Sequence, residues 1–234
     1  IEDACHAIGG QWVDRKGISQ KVGNCSYSDL TTFSFHPVKH ITTGEGGAIT
    51  TNDKALYEKL ILLRSHGMIK NPEQLEPNQG SWYYEMHELG YNYRLTDFQA
   101  ALGIEQLKKS DGWVKKRREL VLKYDLAFKK TRNLKYQKHP DLDHLFSYHL
   151  YIIQCENRKE LYDYLKQNGV NTQVHYIPVH LQPYYKNKYG YKKGDFPVAE
   201  KYYEKALSLP LYPSLRGSEQ EKVIDLVQEF YEKN

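Results

Sequence analysis

Thr32-Phe33-Ser34-Phe35-His36-Pro37-Val38-Lys39-His40-Ile41-Thr42-Thr43-Gly44-Glu45-Gly46-Gly47-Ala48 places one lysine in a tight, Ser- and Gly-rich turn between two apolar runs. Phe33-Ser34-Phe35 and Ala48-Ile49-Thr50-Thr51 are β-prone, and the glycines permit close backbone approaches, so the pattern predicts strand, functional turn, strand. A surface lysine has no use for such surroundings. A lysine that must lose its proton, attack an aldehyde and then act as a base needs a constrained, partly desolvated pocket, because burial disfavours the charged amine. Lys39 is therefore the candidate Schiff-base residue.

Upstream, Ile1-Glu2-Asp3 reads as the carboxyl end of a buried parallel strand, where ligands of open α/β sheets gather. Asp3 there either holds a protonated ring nitrogen of a cofactor or caps the next helix. Such a strand calls for more chain before it, so the sequence reads as the remainder of a larger protein. Downstream, Asn52-Asp53 predicts a helix cap, with Leu56, Leu60 and Leu63 at helical spacing, Ser65 near the end and His66-Gly67 as the stop. Residues 71–90, mixed in Pro, Asn, Gly and Trp, predict a long loop. Thr96 and Gln99 form a capping-box pattern that opens a helix carrying Ala100, Ala101, Leu102 and Leu107. Asp111-Gly112 predicts its end and a domain boundary, dividing the chain into 1–112 and 113–234. A second helix then runs to about Lys130, with Trp113, Val114, Leu120, Val121, Tyr124 and Phe128 on one side and Lys115, Lys116, Arg117 and Arg118 as a solvated face. Beyond it, 149–153 predicts a strand, 157–168 a helix stopped by Gly169, 171–175 another strand, and 198–207 and 218–233 two closing helices.

At 234 residues with 40% hydrophobic content, the chain is long enough for one large domain or two smaller ones. A net charge of +4, spread over helical faces rather than massed in blocks, argues against nucleic acid and suits an anionic small substrate. Cys5, Cys25 and Cys155 lie far apart without C-x-x-C spacing, which argues against a disulfide framework and suits a reducing cytoplasm. No apolar run approaches the ~20 residues of a membrane span, so no membrane is expected. The chain opens on Ile1, so the lack of a visible signal peptide carries little weight. His175 and His180 lack a Cys or carboxylate at ligand spacing, so no metal is expected. Neither a Gly-rich nucleotide fingerprint nor a G-x-S-x-G nucleophile occurs.

Asp3 and His6 in Ile1-Glu2-Asp3-Ala4-Cys5-His6-Ala7, the Lys39 turn, Gly90-Tyr91-Asn92-Tyr93-Arg94-Leu95, Gln173-Val174-His175-Tyr176 and Leu207-Ser208-Leu209-Pro210 together resemble the sugar aminotransferases related to DegT, DnrJ, EryC1 and StrS. The resemblance covers essentially the whole chain. It implies an α/β, aspartate-aminotransferase-like (type I) fold, with part of a large cofactor domain over 1–112 and a small α/β domain over 113–234. The implied cofactor is pyridoxal 5′-phosphate, carried by Lys39, with Asp3 at its ring nitrogen, His6 beside its ring and Ser34 at its phosphate. In that family the G-Y-N-x-R segment crosses a homodimer interface, so Asn92 would reach the partner's cofactor phosphate, Arg94 would supply charge near substrate phosphates, and each site would be built by two chains. Taken alone, His6 reads as structural, Ser34 as an unremarkable strand residue, and the Asn92 segment as a turn before a capped helix. Gln173, Val174, His175 and Tyr176 would contact a sugar nucleotide.

Within the family, Leu63-Arg64-Ser65-His66-Gly67-Met68 and Gln173-Val174-His175-Tyr176 look most like the enzymes that make the 4-amino sugar on the route to pseudaminic acid. That likeness implies L-glutamate as amino donor and a UDP-linked 4-keto-6-deoxy-N-acetyl sugar as acceptor. Two alternatives stand beside it. A sugar dehydratase of the same fold replaces the lysine with histidine, which Lys39 speaks against although His36 and His40 lie nearby. A noncatalytic fragment or binding module is favoured by the opening inside a strand.

Overall fold

A computed structural model of the chain describes residues 1–75, 79–137 and 145–233. These form two compact units, one comprising Ile1–Asp111 with Leu145 and Phe146, the other beginning at Gly112.

In the first unit the chain runs through β1 (Glu2–Asp3), a hairpin of β2 (Gln11–Val13) and β3 (Ser19–Lys21), then β4 (Thr31–Ser34) and β5 (Gly47–Thr50). β4 is the middle of a three-stranded sheet. It pairs in parallel with β1, Asp3 opposite Thr32, and antiparallel with β5, Ser34 opposite Gly47. The last pair demands glycine, since a Cβ on Gly47 would lie 2.6 Å from the Phe33 carbonyl oxygen. β1 is parallel as its sequence predicts, but it is not buried: Glu2 and Asp3 are both exposed, because this two-residue strand is paired on one side only.

The predicted cap forms at α1 (Lys54–Arg64), where Asp53 Oδ1 accepts from the N–H groups of Ala55 and Leu56 at 2.7 and 3.0 Å. His66 and Gly67 both take left-handed φ and turn the chain out of the helix. The predicted loop 71–90 holds more order than its composition conveys. β6 (Met68–Ile69) pairs antiparallel with β7 (Glu85–Met86), and Pro72–Gln74 form a helical turn; residues 76–78 of that loop lie outside the described residues. Turn-forming residues dominate its composition and mask so short a strand.

The capping box is also present: Thr96 N–H donates to Gln99 Oε1 at 3.0 Å, and Gln99 N–H donates to Thr96 Oγ1 at 3.3 Å. The helix it opens, α2 (Asp97–Phe128), runs unbroken through Asp111-Gly112, so the predicted stop there is corrected. A glycine inside a helix costs only about 1 kcal/mol relative to alanine. The helix formers on both sides outweigh it, and Gly112 does not take the left-handed φ of a terminator.

The second unit is built on an antiparallel sheet of order β10-β9-β8, comprising β8 (Leu134–Tyr136), β9 (Tyr151–Cys155) and β10 (Ala206–Leu209). Between β9 and β10 come α3 (Arg158–Gln167), α4 (Pro183–Tyr189) and α5 (Pro197–Lys205), and α6 (Gly217–Lys233) closes the chain. Tyr124 and Phe128 of α2, Ile153 of β9, Leu161 and Leu165 of α3, Leu207 of β10 and Val227 of α6 share one core. Each such aliphatic or aromatic side chain contributes about 1.5–3 kcal/mol by leaving water. The predicted strand over 171–175 is not one: it makes a single bridge, Gln173 opposite Ser208. The neighbour of β9 is instead β10, which begins inside the predicted helix 198–207 and is buried at all four residues.

Arg117 corrects a third expectation. It shares the inward stripe of α2 with Val114, Leu120, Val121 and Tyr124, and it is 4% exposed. Its Nη1 donates to the carbonyls of Tyr148, His149 and Leu211 at 3.2, 3.2 and 2.9 Å. Burial pushes its pKa down to about 10, which leaves it charged at neutral pH. No helix among the described residues is long and apolar enough to cross a membrane, and no group of three or more potential metal ligands occurs among them.

Candidate active site

The chemistry-bearing residues of the first unit converge where β1 and β4 end. Cys5 N–H donates to Asp3 Oδ1 at 3.0 Å. The Cys5 thiol also bonds this carboxylate, and these two bonds, reinforced by the charges of His6 and Lys39, hold the Asp3 carboxyl below its ordinary value. Asp3 therefore stays ionised at neutral pH, with the charge of Lys39 contributing. Cys5 is a residue whose part in this cluster the sequence reading missed. Its thiol pKa is raised, chiefly by burial and then by Asp3, while Lys39 opposes the rise. Its position two residues after Asp3, at a strand-to-turn exit, was the available signal.

Lys39 is half-buried, and its turn is closed by its own hydrogen bonds. Phe35 N–H donates to Gly46 O at 2.8 Å, Thr43 N–H to Phe35 O at 3.0 Å and Lys39 N–H to His36 O at 2.9 Å. Ser34, the last residue of β4, accepts from His36 N–H through its Oγ at 3.3 Å. The hydroxyl thus lies at the mouth of the turn that carries Lys39. His6 is exposed beside Asp3.

Asn92 and Arg94 are anchored elsewhere in the unit. Tyr91 N–H donates to Leu63 O at 2.7 Å and Tyr93 N–H to Arg64 O at 3.0 Å, while Asn92 bridges to Ser65. This lays the segment along the end of α1, with Asn92 and Arg94 exposed. Arg94, with Lys59, Ser65, Met68, Lys70 and Asn71, lines a cavity of about 780 Å³ whose walls include no residue of the lysine turn.

In the second unit, Gln173 and Ser208 exchange backbone hydrogen bonds of 3.2 and 2.7 Å, and His175 Nδ1 lies 2.8 Å from Ser208 Oγ. The His175 ring meets Tyr176 edge-on at 4.6 Å, and Tyr176 is exposed. His180, five residues on, faces inward instead and meets Glu200 at 2.8 Å. Within the first unit, an ionised carboxylate with an amine and a hydroxyl on the lysine turn make a donor set for a cationic ring that carries an aldehyde and an anionic group; the second unit presents an imidazole and a phenol of its own.

The DegT/DnrJ/EryC1/StrS aminotransferase family matches residues 1–228. The chain is 40% identical to the UDP-4-amino-4,6-dideoxy-N-acetyl-beta-L-altrosamine transaminase of Campylobacter jejuni subsp. jejuni serotype O:23/36 (strain 81-176), over 100% of this chain and 58% of that protein. It is 40% identical to the spore coat polysaccharide biosynthesis protein SpsC of Bacillus subtilis (strain 168), over 98% of this chain and 59% of that one. Among solved structures it is similar to Helicobacter pylori PseC, an aminotransferase involved in the biosynthesis of pseudoaminic acid, with a TM-score of 0.85, 33% identity and coverage of 99% of this chain and 58% of that chain. The chain thus spans 58–59% of the length of these curated relatives. Its fold is the aspartate-aminotransferase-like fold of the pyridoxal-phosphate-dependent sugar aminotransferases. With the family match extending over residues 1–228, nearly all of its length, the chain belongs to the DegT/DnrJ/EryC1/StrS aminotransferase family.

Proposed function

We propose that this protein is a pyridoxal-phosphate-dependent aminotransferase that moves an amino group from L-glutamate to the 4-keto position of a UDP-linked 4-keto-6-deoxy-N-acetyl sugar, in the cytoplasm and as a homodimer. The observation that carries the reading is an ionised Asp3 at the end of β1 whose carboxyl is stabilised in part by the charge of Lys39. The residues present fit the cofactor: Asp3 is a carboxylate held in its charged form, Lys39 is an amine on a closed turn, and Ser34 offers a hydroxyl at that turn. When bound, pyridoxal 5′-phosphate supplies an aldehyde and a ring that accepts the electron pair left when a proton departs the amino-bearing carbon.

The chain's own residues do the rest. Asp3 keeps the proton on the ring nitrogen. Ser34 Oγ and the amides of its turn bind phosphate, and His6 borders the ring. With the cofactor bound, Lys39 Nζ would be the amine that carries its aldehyde and, when free, the base that moves protons at the amino-bearing carbon in each half-reaction. Asn92 donates through its amide to the partner's phosphate group, and Arg94 brings permanent charge to the substrate phosphates. Gln173, Val174, His175 and Tyr176 contact the sugar nucleotide. Residues 1–112 belong to the cofactor domain and 113–234 to the small domain. The test is to incubate the full polypeptide with pyridoxal 5′-phosphate, L-glutamate and the keto-sugar nucleotide, and to follow 2-oxoglutarate and the amino sugar by mass spectrometry. Formation of neither product would overturn the reading; formation of 2-oxoglutarate alone would retain the class and reject the acceptor.

A further inference from the structure

Ser208 is out of place by composition. It sits at 4% exposure in β10, between the fully buried Leu207 and the buried Leu209, and a hydroxyl in such surroundings is unfavourable unless it is hydrogen-bonded. Its bond is to His175 Nδ1, at 2.8 Å. The same residue also exchanges both backbone bonds with Gln173. Residues 173–176 form no strand, so Ser208 joins them to the sheet at two points, the backbone of Gln173 and the ring of His175.

We propose that Ser208 is a positioning residue for acceptor binding: its hydroxyl holds the plane of the His175 ring, and through the edge contact of that ring it sets the exposed Tyr176 against the sugar nucleotide. The inference rests on the reading of residues 173–176 as the sugar-nucleotide segment. Its physical basis is that a hydroxyl, which can donate or accept, satisfies Nδ1 in either tautomer and so holds the ring by one buried hydrogen bond. The ring also loses the freedom to rotate about its last bond. An acceptor arriving at a fixed ring spends less of its binding energy on ordering it.

The test compares full-length wild type, Ser208→Ala, Ser208→Thr and His175→Ala, each loaded with pyridoxal 5′-phosphate. The ring ¹⁵N resonances of His175 report the hydrogen bond at Nδ1 without reference to activity. The rate of 2-oxoglutarate formation from L-glutamate alone reports the donor half-reaction, and KM reports the acceptor. In Ser208→Ala the Nδ1 resonance of His175 should move as its hydrogen bond is lost, and acceptor KM should rise about tenfold, the equivalent of one buried hydrogen bond. The donor half-reaction should stay within about twofold, and Ser208→Thr should restore both resonances and KM. If Ser208→Ala does not fold, Ser208→Cys, close in size but a weak donor, carries the same expectation. Unmoved resonances, or an unmoved acceptor KM alongside a raised one in His175→Ala, would overturn the positioning role alone. An acceptor KM that ignores His175→Ala as well would overturn the sugar-nucleotide reading of the segment, and the inference with it.

Discussion

His180 Nε2 and Glu200 Oε1 meet at 2.8 Å in the interior of the second unit, each almost fully buried. Glu200 also accepts from Gly194 N–H with both oxygens, at 2.8 and 2.9 Å, so one carboxylate ties the turn after α4 to the start of α5. The bond from His180, followed by those from Gly194 and Phe196, holds the Glu200 carboxyl below its ordinary value of 4.5. A carboxyl depressed in the folded state stabilises the fold fully above the unfolded value and ceases to do so as pH falls through the folded one. Glu200→Gln should therefore lower the thermal midpoint at neutral pH and flatten its decline below pH 4.5. Parallel melting curves for the two proteins across that range would refute the linkage.

Arg117 and Lys115 lie two residues apart on α2 and should respond oppositely. Arg117→Met leaves three buried carbonyls without their donor and should cost about 3 kcal/mol. Lys115→Met, at an exposed position, should stay within about 0.5 kcal/mol of wild type. Urea titration of the two variants decides it; equal stabilities would mean that Arg117 is no clamp.

Lys39→Ala should fold normally and lose amino transfer by at least about 10²–10⁴-fold, the scale of a lost proton carrier. Borohydride reduction of the wild-type protein with pyridoxal 5′-phosphate, followed by peptide mapping, should place the covalent label on Lys39. A label on any other lysine assigns the role elsewhere. Asp3→Asn should retain cofactor and lose most of its rate, because an amide cannot hold a proton on the ring nitrogen; near-normal turnover would remove Asp3 from the mechanism.

The dimer reading has its own test. If Asn92 and Arg94 serve the neighbouring subunit, a Lys39→Ala chain co-expressed with an Asn92→Ala chain should recover activity that neither shows alone. Random pairing makes about half of the dimers mixed, each with one sound site, so recovery near one quarter of wild type is expected from an isologous interface. Mixed dimers that form yet stay at background would return residues 90–95 to a turn before a helix.

Several features were settled by sequence alone because their causes are local. Asp53 and the Thr96–Gln99 pair cap helices whose first N–H groups lie within three residues of them. Phe33 to Thr51 carries its strand, turn, strand order in short-range propensity and glycine placement. The motifs around Asp3, Lys39, Asn92 and His175 were enough to indicate the family. What only the tertiary structure decided depends on partners far apart in the chain. Gly112 reads as a stop until both flanks are seen to sustain one helix. Arg117 reads as one of four solvated cations until carbonyls from residues 148, 149 and 211 surround it. Residues 171–175 have the composition of a strand, yet they meet the edge strand β10 at Gln173 alone. Ser208 and Cys5 acquire their parts in the same way, from a neighbour that folding brings within hydrogen-bond reach of a side chain whose type alone says nothing of it.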